Sequence, residues 1–404
     1  MPDDSINEID DSSVGDLYDC SDDDDDISDL RSLEEAASNE SGGKQPEANK
    51  ESGVLVAATS FSSSDTGLRQ LTSCGMNMTR EQLVAKVYSI LSPLLKACLY
   101  DKDTKKYPPH MELLDRQLHS FIQEISTTYT WHTRYHAFCH TAHIVAWVHY
   151  FHRQLQLQQQ QASTGSVGSS CWDRLVLCMA ALVRDCKYSG VSDRQLLVEH
   201  HYLWDLYKDG NVQTKLSINY ALDILAGPNF KDLLEEITWG CPRFLYLMRT
   251  TLVLGTGKRS ALKQYCVTAR TTHRNNPRGR VQRNEALMGM VLQLANWGHF
   301  ALANLEEFVE WNNLALEEKR LAFLAKRGPN PLPHWNTNCI QFMELKILPL
   351  AEAMERILPK PVGLRDSVLA NLQFLQQHQQ QQQQLQRKES SSPTCFEDIV
   401  DVYD

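Results

Sequence analysis

Apolar residues return at spacings of three and four along most of the chain. In TREQLVAKVYSILSPLLKACLYD they fall at Leu83, Val87, Ile90, Leu91, Leu94 and Leu95, one face of a helix, with Thr79 where an N-cap belongs. The folded part is expected to start there. Similar periodic stretches follow at 111–128, 132–156, 172–185, 193–208, 215–226, 230–254, 284–312 and 336–357, with no convincing alternating strand pairs between them. The pattern predicts an all-α fold, one compact multi-helix domain over 79–360. The polar run QLQLQQQQASTGSVGSS, 154–170, reads as an insertion loop between two helices. The segment 361–404, with its Gln-rich 373–386 and the closing SSSPTCFEDIVDVYD, reads as a low-complexity tail outside the fold.

Composition changes this picture at the ends. The 404 residues suit one folded domain with tails better than two full domains. Residues 1–50 hold 17 acids, including the run Asp22 to Asp26, against Arg31, Lys44 and Lys50; that is −14 of the chain's −10, leaving +4 for the rest. So acidic a segment, poor in aromatics, buries too little apolar surface to offset its ordering entropy, and 1–78 is expected to be a disordered tail. From Lys258 to Arg283 there are eight Lys or Arg and no acid, so 258–283 reads as a basic loop: solvated, or a docking site for phosphate or for the chain's own acidic tail. Eleven cysteines without a CxxC pair, and an opening MPDDSINEIDD in place of a basic and apolar leader, predict a reducing, intracellular and cytoplasmic setting. The longest apolar run, LVLCMAALV, is far short of a bilayer span, and no membrane span is expected. Nothing points to a nucleic-acid polymer as partner, and the oligomeric state is not legible.

Candidate chemistry begins at RYHAFCHTAH, 134–143. His132, His136, His140 and His143 share one face if the stretch is helical, and imidazoles four apart can ligate one ion. Spacing alone also fits histidines satisfied by backbone and water.

YHAFCHTAHIVAW, followed about thirty residues later by MAALVRDCKYSGVSDRQLLVEHHYLWDLYKD, resembles the HD-type catalytic domain of class I 3',5'-cyclic-nucleotide phosphodiesterases. RNEALMGMVLQLANWGHF, LEEFVEWNN and CIQFMELKILPL stand where that family's later motifs would, so the resemblance covers about 85–358. It implies that His136 is the general-acid histidine, His140 the first metal-ligating histidine, Asp185 the aspartate touching both metals and Phe342 the phenylalanine stacking on the purine. It also implies losses. The second ligand histidine is Arg184, the second ligand aspartate is Asn296, the histidine beside the second metal's water is Tyr188, and the purine-reading glutamine is Cys339. Thr214, Leu216 and Ser217 stand for further motif residues of the family.

A divalent metal, Mg or Zn, is expected from the resemblance and is expected here to be weak or absent. The ligand positions change from formally −2 to 0, because Arg184 is a fixed cation whose fork suits a carboxylate or a phosphate. Arg184 is thereby expected to pair with Asp185 near His140 and to meet an anion together with His136. The leading expectation is a degenerate phosphodiesterase that senses cyclic AMP or cyclic GMP or serves as a scaffold in cyclic-nucleotide signalling. Two alternatives stay open: an active enzyme whose altered site uses the Asn296 carbonyl and a nitrogen of His132 or His143, and a helical protein-interaction module.

Overall fold

The computed structural model describes residues 77–391 except 102, 131–132, 162–170, 201, 208–209, 255–276, 302–303 and 359–362. The acidic tail, residues 162–170 of the 154–170 insertion, most of the basic loop, His132 and the closing acidic segment lie outside the described residues, and so does the expected tail-to-loop contact. Among the described residues every element is helical, with one isolated bridge between Asp101 and Lys106.

Helix α1, Arg80–Leu99, begins where its cap does. Thr79 accepts from the Gln82 backbone N–H at 3.3 Å and the Gln82 side chain accepts from the Thr79 N–H at 2.8 Å, a reciprocal capping box. By length and composition α1 is apolar enough to cross a bilayer, and half of its most apolar window is buried inside the fold. Against it pack α2, Met111–Thr127, α3, Phe138–Gln161, and α4, Cys171–Val183. Every residue from Leu175 to Val183 is buried, because α4 lies between α1, α3 and α9, Phe244–Leu254, and has no face left for water. Helix α10, Pro277–Asn296, packs on both α3 and α9 and brings Asn296 to the α3 side of the core.

The expected long stretches break where the backbone cannot continue. After α5, Asp193–Glu199, α6, Tyr202–Leu206, and α7, Val212–Leu225, the stretch 230–254 divides into a short 3₁₀ turn, α8, Lys231–Gly240, and α9, with Pro242 in the gap. The stretch 284–312 divides into α10, α11, Gly298–Ala301, and α12, Leu305–Leu324, the last capped by Asn304, whose side chain accepts from the Glu307 N–H at 2.9 Å. The final stretch becomes α13, Trp335–Phe342, a π-helical turn, Met343–Ile347, and α14, Leu348–Glu355. Helix α3 starts later than expected, at Phe138, so His136 sits in a bend before it, and it runs to Gln161, into the predicted loop.

The segment after 360 is not all outside the fold. Helix α15, Leu364–Ser391, buries Leu364, Val368, Leu372 and Leu375 against α11, α13 and α14. Asn371 donates its amide to the Phe300 carbonyl at 2.9 Å. Spacings of four, four and three make a helical stripe, and the glutamines occupy the other faces.

Candidate active site

Helix α12 turns Phe308, Trp311, Ala315 and Glu318 toward the core. Glu318, 2% exposed, is held there by three donors. Its Oε2 accepts the backbone N–H groups of Tyr135 and His136, each at 3.0 Å, and its Oε1 lies 2.6 Å from His136 Nδ1. A carboxylate only accepts, so Nδ1 is the protonated nitrogen, and the acid fixes the tautomer and favours the imidazolium. Burial pushes the Glu318 carboxyl up, yet the His136 charge and the bonds it receives hold it below its ordinary value. The two backbone bonds pin the 134–137 bend. The Tyr188 ring centroid lies 4.0 Å from that of His136, and the Tyr135 ring meets it edge-on at 4.8 Å.

Arg184 and Asp185 follow the end of α4. Both are buried, and Arg184 Nε lies 3.6 Å from Asp185 Oδ1, the pairing expected from their charges. His140, on the first turn of α3, points its Nε2 at the backbone carbonyl of Asn296, 3.2 Å away, and must donate to it. Burial holds His140 well below the usual histidine range, with His299, His136 and His143 adding to the effect and the Asn296 carbonyl opposing it, so the ring is neutral. Asn296 Oδ1 and Asp185 Oδ2 are buried without a hydrogen-bond partner among the described residues.

These residues do not fit a dinuclear metal centre. His140 has turned Nε2 to a carbonyl, Arg184 places a permanent cation against the one remaining carboxylate, and among the described residues no three His, Cys, Asp or Glu converge on a point that could hold an ion. His143 does not make up the number, since its Nε2 accepts from the indole N–H of Trp147, and burial, with Lys86, lowers its pKa to about 3. His132 lies outside the described residues.

Two residues assigned by resemblance to purine binding are closed in. Phe342 is 2% exposed, its ring edge-packed on Trp297 at 5.0 Å and Phe300 at 5.7 Å. Cys339 donates its thiol to Asn312 Oδ1 at 3.5 Å. Trp297, between α10 and α11, and Phe300 of α11 pack against the Phe342 ring. A cavity of about 110 Å³ opens nearby, between Gly190 and Val191 on one side and Lys319, Arg327, His334 and Asn338 on the other. The bidentate pair of Arg327 with Glu199, at 2.7 and 2.6 Å, ties the loop after α12 to α5 at its margin.

The sequence reading missed Glu318, Tyr135 and His299. The Tyr135 hydroxyl lies 3.1 Å from the His299 ring nitrogens, joining the bend to α11. An available signal was Glu318's helical register with Phe308, Trp311 and Ala315.

The family pattern of 3'5'-cyclic nucleotide phosphodiesterases matches residues 135–368, more than half of the chain. The chain belongs to that family. Solved structures agree at the level of fold. The phosphodiesterase domain of Salpingoeca rosetta rhodopsin phosphodiesterase is 15% identical with a TM-score of 0.61, over 80% of this chain and 95% of that one. A second structure, the phosphodiesterase domain of the RhoPDE fusion protein from the same choanoflagellate, is 15% identical with a TM-score of 0.60, over 79% and 98%. No curated protein matches the sequence. Phosphodiesterases of this family are generally dependent on divalent metal.

Proposed function

We propose that this phosphodiesterase domain has lost hydrolysis, or keeps very little, and acts inside the cell as a sensor or scaffold in cyclic-nucleotide signalling. The observation that carries the reading is the buried Arg184–Asp185 ion pair. A guanidinium cannot lose its proton at physiological pH, so it competes permanently with a divalent cation for the Asp185 carboxylate. The His136–Glu318 pair holds a protonated imidazole in place, but a positioned general acid supplies only about 10² to 10⁴ in rate. That cannot replace metal activation of water, where lowering its pKa from about 16 to about 7 is worth roughly 12 kcal/mol.

A weakly active enzyme is the second reading. It is favoured by the orphaned acceptors Asp185 Oδ2 and Asn296 Oδ1, which would suit a single ion, and by the intact general-acid pair.

Hydrolysis of cyclic AMP and cyclic GMP with added Mg²⁺, Mn²⁺ or Zn²⁺, measured beside His136→Ala protein, separates the two. The expected result is no turnover above the His136→Ala background, and no two equivalents of metal surviving dialysis. Turnover above that background that requires metal would make the second reading the right one. The variant carrying Arg184→His with Asn296→Asp is expected to regain metal before it regains activity. Calorimetry with either nucleotide in EDTA tests the sensor role. After the cost of association, micromolar to millimolar affinity is the ceiling, and no binding at millimolar concentration leaves the scaffold role.

A further inference from the structure

The cavity beside the candidate site has a mostly apolar lining with cations in it. Val191, Ala322 and Pro331 line it together with Lys319 and Arg327. Chain neighbours of the lining, Phe323, Leu324 and Leu332, are large apolar side chains left exposed. The two cations differ in what they can still hold. Arg327 is taken by Glu199 in the bidentate pair, whereas Lys319 follows Glu318, whose carboxylate is already filled by His136 and two backbone N–H groups. Such a lining suits a segment that carries apolar side chains and acids together.

Helix α15 leads to a segment of that kind. Beyond its buried stripe it runs along the start of α13, where Gln382 Oε1 accepts from the Asn336 amide at 3.0 Å and the Gln379 amide donates to Thr337 Oγ1 at 2.7 Å. Asn336 and Thr337 lie between His334 and Asn338, the α13 end of the cavity lining. From Gln382 to its end at Ser391, α15 advances about 14 Å at 1.5 Å per residue. The chain continues as SPTCFEDIVDVYD, 392–404, which lies outside the described residues. It holds Glu397, Asp398, Asp401 and Asp404, no Lys or Arg, and apolar residues between the acids, Ile399 and Tyr403 among them. Extended chain spans up to about 3.4 Å per residue, so 392–396 alone covers about 17 Å, enough to return past Gln382. The N-terminal run Asp22 to Asp26 is a poorer match, since it supplies charge without interleaved apolar residues.

We propose that residues 396–404 fold back across the start of α13 and fill this cavity in the same chain, their acids facing Lys319 and their apolar side chains lying on Val191, Ala322 and Pro331.

Tethering makes a weak contact sufficient. A short linker gives an effective concentration of about 1 mM, so a segment with an intrinsic affinity of only about 100 µM keeps the cavity closed about ten times as often as open. The contact does not depend on whether the domain hydrolyses anything. Lys319 follows the Glu318 that holds His136, so a filled cavity places the segment next to that histidine's support.

The test uses the full-length protein and a carbodiimide, which joins an amine to a carboxylate already in contact with it. The expected main product of the closing segment is a peptide pair linking Lys319 to 397–404. In an equal mixture of ¹⁵N-labelled and unlabelled protein, each pair should carry one isotope, as a link within one chain must. Lys319→Gln should remove that product. A second measurement needs no change in the folded part: Phe396→Ser, Ile399→Ser and Tyr403→Ser, made together in the full chain, should speed backbone hydrogen exchange over 189–192 and 326–334 about tenfold and leave α4 unchanged. No link to Lys319, links that run mainly to the 258–283 loop, pairs of mixed isotope, or exchange unaffected by the triple substitution would each overturn the proposal.

Discussion

Glu318 is one acid on a helix face that is otherwise apolar, and it organises the bend that carries His136. Its three hydrogen bonds leave it no alternative partner in the core, so removing it strands His136 Nδ1 and two backbone N–H groups. Breaking a buried pair from one side costs about 3–5 kcal/mol. Glu318→Ala is therefore expected to lower the unfolding free energy by about that much in urea titrations, and Glu318→Gln, which keeps an acceptor oxygen but not the charge, by less. A loss under 1 kcal/mol in the alanine protein would mean that water replaces the carboxylate and that the bend is not held by it. The residues matched by resemblance were readable as positions but not as environments. Arg184, His140 and Asn296 could be placed by motif order, and the Arg184–Asp185 pairing followed from charge. The closing-in of Phe342 by Trp297 and Phe300 depends on where α10 ends and α11 turns, which no local pattern encodes.

Among the elements, α15 shows how composition can hide periodicity. Leu364, Val368, Leu372 and Leu375 form a stripe visible in the letters, but a Gln-rich run reads as low complexity when the glutamines are counted before the leucines are spaced. The start of α1 was more legible, because its Thr79 cap and apolar spacing mark it locally. The stretch 230–254 was read as continuous because its apolar spacing was weighed ahead of Pro242, which cannot continue a helix. Leu372→Ala is expected to cost about 2–5 kcal/mol, the range for emptying a buried leucine site, and a chain ending at residue 363 is expected to be insoluble. A truncated chain that stays soluble with unchanged urea midpoint would place α15 outside the cooperative unit after all.

For the whole molecule, the number of buried histidines sets its response to acid. Burial lowers His143 to about 3, with Lys86 contributing. It lowers His149 to about 4, helped by Arg174 and Arg153, and His152 to about 3, helped by Arg174 and His149. Each has a folded pKa below its unfolded value of 6.5, so below that pH the unfolded chain binds protons that the folded chain refuses. Stability is present in full above the unfolded value and falls as pH drops toward the folded values. Each such histidine removes about 1.4 kcal/mol per pH unit in that window. Glu318 adds to the loss only at lower pH, because its lowered carboxyl contributes above 4.5 and fails as pH falls through its folded value. Urea midpoints should thus be level from pH 8 to 7 and decline steeply from 6.5 to 5; a flat profile down to pH 5 would show that these rings are hydrated in solution.

The buried guanidinium after α4 also constrains what this sequence can become. Converting Arg184 alone to histidine would leave the Asp185 carboxylate buried without its cation, a cost of about 3–5 kcal/mol against the few kcal/mol of margin a domain commonly has. Under the proposed loss of hydrolysis, an ion pair whose removal from one side costs this much makes that loss hard to reverse.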